Sequence, residues 1–246
     1  MNRFVIPPAA PATLAVTGSD QVFPVGRVYC IGRNYPWTAG EARPADMPGW
    51  FMKPADAVVP AQGVLAYPPE TTEFCHEIEL VVAIGRGGHD LDPARVEADH
   101  VWGYAAGLDL TRRDLQQHAK RVGGSWEPAK AFDRSAPCTP LVPASVCGHP
   151  RRGAVWLAVD GQDRQRADIA DLLWPVGELV AMLSRSVTLM PGDLVFTGTP
   201  VGVSALQPGQ VVTAGVAGIG ELSMTVGARP ARAADRTPTP SEEIHS

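Results

Sequence analysis

The chain has 246 residues, 45% hydrophobic and 19% charged, which is enough for one large globular unit or two small ones. A formal net charge of −5 without a basic block sets nucleic acid aside as a partner, and no apolar run is long enough to span a bilayer. Gly 25 and Pro 24, close to one residue in five, argue for many turns and short strands rather than a helical bundle.

Residues 1–13 are rich in Ala and Pro and predict a flexible N-terminal arm without the uninterrupted apolar stretch of a signal peptide. The four cysteines, Cys30, Cys75, Cys138 and Cys147, fit no CxxC spacing. No disulfide is expected, and the expected location is the reducing cytoplasm. A short strand at 27–31 enters Gly32-Arg33-Asn34-Tyr35, and residues 35–50, with Pro36, Pro44, Pro48 and Gly49, read as a polar loop or partial helix suited to a mobile lid. Glu77-Ile78-Glu79 then opens an apolar strand through Ile84, and a second apolar run at 101–108 ends at Asp109.

The sequence from Thr111 to Ala119 predicts a helix with Thr111 as N-cap and Asp114 in its first turn. A strand at 155–159 meets Asp160-Gly161, a type I′ hairpin signal. Val176, Leu179, Val180 and Leu183 share one face of a helix starting near Pro175. Turns at 190–193 and 207–210 feed strands at 194–197 and 211–213, and the last strand at 222–226 alternates cleanly. Residues 227–246 lack apolar periodicity and predict a disordered tail. The expected fold class is mixed, β-rich α+β, one unit over 14–226 with a few packed helices.

Residues two apart on a strand project to one face, so Glu77 and Glu79 leave the same side of a segment that is otherwise core. A Glu-x-Glu pair is most often the solvated face of an edge strand; the apolar residues from Leu80 onward argue against that here. Buried carboxylates require a partner, and an all-oxygen set of Glu77, Glu79 and Asp109 suits a hard cation, Mg²⁺ or Mn²⁺. His76 points to the opposite face and reads as structural. Lys130, between Ala129 and the Ala131-Phe132 pair, is either a solvated lysine or a half-buried one aimed at an anionic intermediate. Thr197-Gly198-Thr199-Pro200 is either a plain turn or a place where hydroxyls and amides hold a carboxylate.

Taken in order, Gly32-Arg33-Asn34-Tyr35, His76-Glu77-Ile78-Glu79, the run from Gly107 to Gln116, Ala129-Lys130-Ala131-Phe132 and Thr197-Gly198-Thr199-Pro200 resemble the fumarylacetoacetate hydrolase family across residues 26–226. The wording around Met52-Lys53-Pro54 and Lys130-Ala131-Phe132-Asp133 is most similar to its fumarylpyruvate-cleaving branch in aromatic-acid catabolism. The resemblance implies a mixed β-sheet roll assembled as a homodimer. It implies Mg²⁺ or Mn²⁺ on Glu77, Glu79 and Asp109, and catalytic roles for Lys130 and Gln116. Arg33, Gly198 and Thr199 would bind substrate, and at most one of Arg112 and Arg113 would face the site.

The implied reaction is hydrolysis of a carbon–carbon bond in a 2,4-dioxo acid to pyruvate and a carboxylic acid. Hydrolases of the family carry a lid His followed three residues later by Glu; here Thr38 takes the His position and Glu41 the Glu position. Glu41 is therefore the candidate base, with His118 as an alternative. Without a His–Glu dyad, decarboxylation of an oxaloacetate-like acid or keto–enol isomerisation on the same metal site are the alternatives. A metal- or ligand-binding protein without turnover is the reading of another class.

Overall fold

The computed structural model describes residues 3–38 and 40–230. Residues 3–12 carry no regular secondary structure, and most of the expected tail, 231–246, lies outside the described residues. The protein is a β-rich mixed roll built on two sheets. The larger has the order Trp50–Lys53, Val28–Ile31, Leu194–Phe196, Ile78–Ile84, Val101–Leu108, Ala136–Cys138, Val58–Pro60, with Val142–Pro143 also paired to Val101–Leu108. The smaller has the order Gln162–Asp168, Ala154–Val159, Val211–Val216, Gly220–Val226, Gln62–Leu65. Parallel pairs such as Val28–Ile31 with Leu194–Phe196 sit among antiparallel ones, which makes the fold mixed.

The central strand Ile78–Ile84 is buried on both faces. Ile78, Leu80, Val82 and Ile84 join the core shared with the smaller sheet, including Leu157, Ala214 and Met224. Val81 and Ala83 face a second core with Cys30, Leu194, Phe196 and the N-terminal Leu14 and Phe23. Two-sided burial explains why this strand reads as a continuous apolar run. By the same alternation, Glu77 and Glu79 project to the side of Val81.

The two long helices are Arg113–Val122 and Val176–Ser186. The second starts after Pro175 and buries Val176, Leu179, Val180 and Leu183, as the spacing predicts. Asp160 and Gly161 both have positive φ, 50° and 75°, giving the expected hairpin between Ala154–Val159 and Gln162–Asp168.

The start of the first helix differs from expectation. Thr111–Arg112 is a two-residue strand paired with Phe74–Cys75, and the helix begins at Arg113. The Thr111 hydroxyl does not cap it, because it donates to Glu77 Oε1 and to the Asp109 carbonyl, both at 3.2 Å. The described part of the lid is loop rather than partial helix. All four cysteines are free. Among the described residues no helix is long and apolar enough to cross a membrane.

Candidate active site

Strand pairing assembles the acidic centre. Ile78 pairs with Leu108 and Glu79 with Gly107 across the antiparallel ladder. The Asp109 amide continues that ladder by donating to the Glu77 carbonyl at 2.8 Å. Asp109 thus meets the glutamates, and one ligand oxygen from each of the three lies within 4.8 Å of the others, all three side chains being buried.

Cations and amides surround this triad. Lys130, from the short helix Glu127–Lys130, donates to Glu77 Oε2 at 2.8 Å and to Asp109 Oδ2 at 2.7 Å. Arg113 Nη2 reaches Glu77 Oε1 at 3.2 Å, while its Nη1 donates to Gln116 Oε1 at 2.5 Å, leaving Gln116 its NH₂ as donor. Lys53, at the end of Trp50–Lys53, is fully buried. It donates to the carbonyls of Leu110 and Lys130, and its Nζ lies 2.9 Å from Asp109 Oδ1. The Gly198 amide donates to Glu79 Oε2 at 2.6 Å. Gly198 has φ 104°, and a Cβ there would come within 2.7 Å of the Asn34 Cβ, so the amide reaches Glu79 only because the residue is glycine.

The protonation pattern follows from these contacts. Burial alone would raise the Asp109 carboxyl, but the ammonium groups of Lys130 and Lys53 outweigh it and hold Asp109 below the usual carboxylate range. Lys130 shows the converse: burial opposes its charge, Asp109 and Glu77 restore it, and its pKa lies above that of a free lysine. Glu79 has only a backbone amide, so burial and then its neighbours Asp109 and Glu77 push its pKa well up. A hard divalent cation among the three carboxylates would give Glu79 the positive partner it lacks, and the donor set fits one.

The triad forms the floor of a cavity of about 910 Å³. Lys130, Gln116 and Arg113 flank the floor, Trp50, Phe51 and Trp126 form apolar wall, and Arg33, Thr199 and Lys120 also line it. Thr199 is fixed by donating to the Ile78 carbonyl and accepting from Gln165, both at 2.8 Å. Arg33, with φ 60°, stacks over Trp37 at 4.6 Å.

Glu41 does not line the cavity. It accepts from the Trp37 amide at 2.7 Å and from Arg33 Nη2 at 2.9 Å. The Trp37 amide, together with Arg33 and Thr38, holds its pKa below the usual range despite an opposing effect of burial. Desolvation of a free carboxylate is therefore not what Glu41 experiences in this conformation. Thr38 and His118 are exposed and neither lines the cavity. His76 is held by Gln165 and Ser204, both at 2.9 Å. Of the two arginines, Arg113 faces the triad and Arg112 stacks on Phe132.

Sequence reasoning missed Lys53, whose only signal was a lysine at the inward end of an apolar strand, and Lys120, which looked like any helix-surface lysine.

Residues 27–227 match the family described as "Fumarylacetoacetate (FAA) hydrolase C-terminal". A structure of fumarylpyruvate hydrolase from Pseudomonas aeruginosa in complex with Mn²⁺ and pyruvate is 52% identical, with a TM-score of 0.88, covering 92% of this chain and 100% of that one. A fumarylpyruvate hydrolase from Ralstonia sp is 40% identical over 72% of this chain and 92% of its own length. An oxaloacetate tautomerase from Escherichia coli is 38% identical over 78% of this chain and 88% of its own length.

Proposed function

The chain belongs to the fumarylacetoacetate hydrolase family, and from that premise we propose that it is a divalent-metal hydrolase of 2,4-dioxo acids resembling fumarylpyruvate, releasing pyruvate and a carboxylic acid. The observation that carries this reading is the meeting of Glu77, Glu79 and Asp109 within 4.8 Å on the cavity floor, with Lys130 bonded to two of them. Glu77, Glu79 and Asp109 would hold Mg²⁺ or Mn²⁺, which when bound supplies a Lewis acid for the 2-oxo-acid end of the substrate.

The remaining chemistry falls to the chain's own side chains. Lys130 and the Gln116 NH₂ donate toward oxygens on which negative charge develops. Arg33 holds the substrate's oxygens; Thr199, whose hydroxyl proton goes to the Ile78 carbonyl, shapes the wall beside them, and the Gly198 amide serves the site through Glu79. We assign Glu41 as the base, acting when Arg33 exchanges it for the substrate. It takes a proton from water, the hydroxide adds to the distal carbonyl, and the bond between that carbon and its pyruvyl neighbour breaks. Pyruvate enolate takes up a proton and leaves with the carboxylic acid. Cytoplasmic location and homodimeric assembly complete the proposal.

A second reading has its own observation. With Thr38 in the lid and Glu41 bound to Arg33 and Trp37, the site supports proton shuffling or decarboxylation of an oxaloacetate-like acid without activated water. The test is to supply Mn²⁺-loaded protein with fumarylpyruvate, a second acylpyruvate and oxaloacetate. Hydrolysis predicts pyruvate from the acylpyruvates, and Thr38→His, which restores a dyad, accelerates it. Enol–keto conversion or carbon dioxide from oxaloacetate above the metal-only blank, with no pyruvate from acylpyruvates, replaces the first reading by the second.

A further inference from the structure

Outside the triad, the charged residues lining the cavity are Arg33, Arg113, Lys120, Glu127 and Lys130. Two of the four cations are held in the triad's network, Lys130 by Glu77 and Asp109 and Arg113 by Glu77 and Gln116, and a third, Arg33, pairs with Glu41 and is assigned above to the substrate's reacting end. Among the described residues no carboxylate pairs with Lys120. It follows Gln116 by one helical turn, so Arg113, Gln116 and Lys120 form a polar row along the cavity face of the helix Arg113–Val122.

The aromatic wall has matching order. Lys130 Nζ sits over the Phe51 ring at 4.9 Å, Phe51 packs on Trp126 at 5.8 Å, and Lys120 Nζ sits over Trp126 at 5.0 Å. Two aromatic rings thus separate an inner ammonium at the reacting end from an outer one at the mouth. Partial burial, then the nearby charge of Arg113 and, less, that of Lys130 lower the Lys120 pKa against an opposing pull from Glu77. Glu127 is the opposing charge in the lining and moderates this attraction.

Resting on the 2-oxo-acid reading above, we propose that Lys120 binds the distal carboxylate of an elongated 2-oxo diacid lying along the Phe51–Trp126 wall, so that it selects diacids over monoacids. A flat, unsaturated chain between the two acid groups suits an aromatic wall.

Calorimetry of the Mn²⁺-loaded protein with two inert ligands, 2-oxoheptanedioate and 2-oxoheptanoate, isolates this role because only the first has a distal carboxylate. Wild type is expected to bind the diacid about tenfold more tightly. Lys120→Met brings that ratio close to one while monoacid affinity stays put, and Lys120→Arg keeps most of the preference. Equal affinity for both acids in wild type, or an undiminished ratio in Lys120→Met, overturns the Lys120 assignment and leaves the 2-oxo-acid reading standing. Failure of wild type to bind either acid removes that reading, and the assignment with it.

Discussion

Three carboxylates within 4.8 Å of one another repel strongly. At an effective dielectric constant near 20, each pair of charges at about that distance costs about 3 kcal/mol. Lys130 and Lys53 offset this in different ways. Lys130 bonds two carboxylates and borders the cavity, whereas Lys53 lies behind Asp109 and is tied to the carbonyls of Leu110 and Lys130. Replacing Lys130 by Met should cut turnover by about 100-fold or more, since it removes a donor aimed at developing charge. Mn²⁺ affinity, read by calorimetry, should hold or rise, because a competing cation has gone. Lys53→Met should instead lower stability by about 3–5 kcal/mol in denaturant unfolding, as it strips a buried group from its partners. Equal effects of both substitutions on both readouts would show that the two lysines do one job. The triad was legible in the sequence because it stands on strands of fixed alternation. Lys53 was not, because a lysine ending the apolar run Trp50–Lys53 reads equally well as a solvated strand end, and only the pairing of that strand buries its ammonium.

The strand pair Ile78–Ile84 and Val101–Leu108 holds the acids in register, and the segment after Phe196 closes over them. That segment is tied back by a relay: His76 bonds Gln165 and Ser204, and Gln165 donates to Thr199 and to the Pro200 carbonyl. His76 therefore acts as a strut between the central strand and the cavity wall. Burial pushes its pKa down from 6.5 to about 4, with the Gln165 bond opposing the shift, so the folded state keeps it neutral. The unfolded chain protonates it at higher pH than the folded one does. Its contribution to stability is thus present above pH 6.5 and lost as pH falls toward 4, by up to about 3 kcal/mol. Unfolding free energies between pH 7 and 4 should fall more steeply for wild type than for His76→Gln; parallel curves would refute the strut's titration. Strand and helix periodicities were readable at this scale, as for Val176–Ser186. The start of Arg113–Val122 was not, because Thr111 has the chemistry of a cap but spends its hydroxyl on Glu77.

At the scale of the molecule, two sheets enclose one core and a second core packs behind the larger sheet, so the strand bearing the acids is walled on both sides. Burial on this scale makes the carboxylates dependent on a cation. The mixed roll could be anticipated from motif order, but which strands pair could not, since Leu194–Phe196 inserts between Val28–Ile31 and Ile78–Ile84 by contacts distant in sequence. The lid is the part for which motif spacing said least: Glu41 stands at the expected position, yet its partners are Arg33 and Trp37. The proposed activity requires the triad to work as a metal site for carbon–carbon hydrolysis. Its most direct test is the rate of pyruvate release from fumarylpyruvate by chelator-treated protein before and after Mn²⁺ is restored, in wild type and in Glu79→Gln. The prediction is one pyruvate per substrate consumed, dependence on Mn²⁺, and a loss of about 100-fold or more in the variant; release that needs no metal, or that Glu79→Gln leaves unchanged, would contradict it.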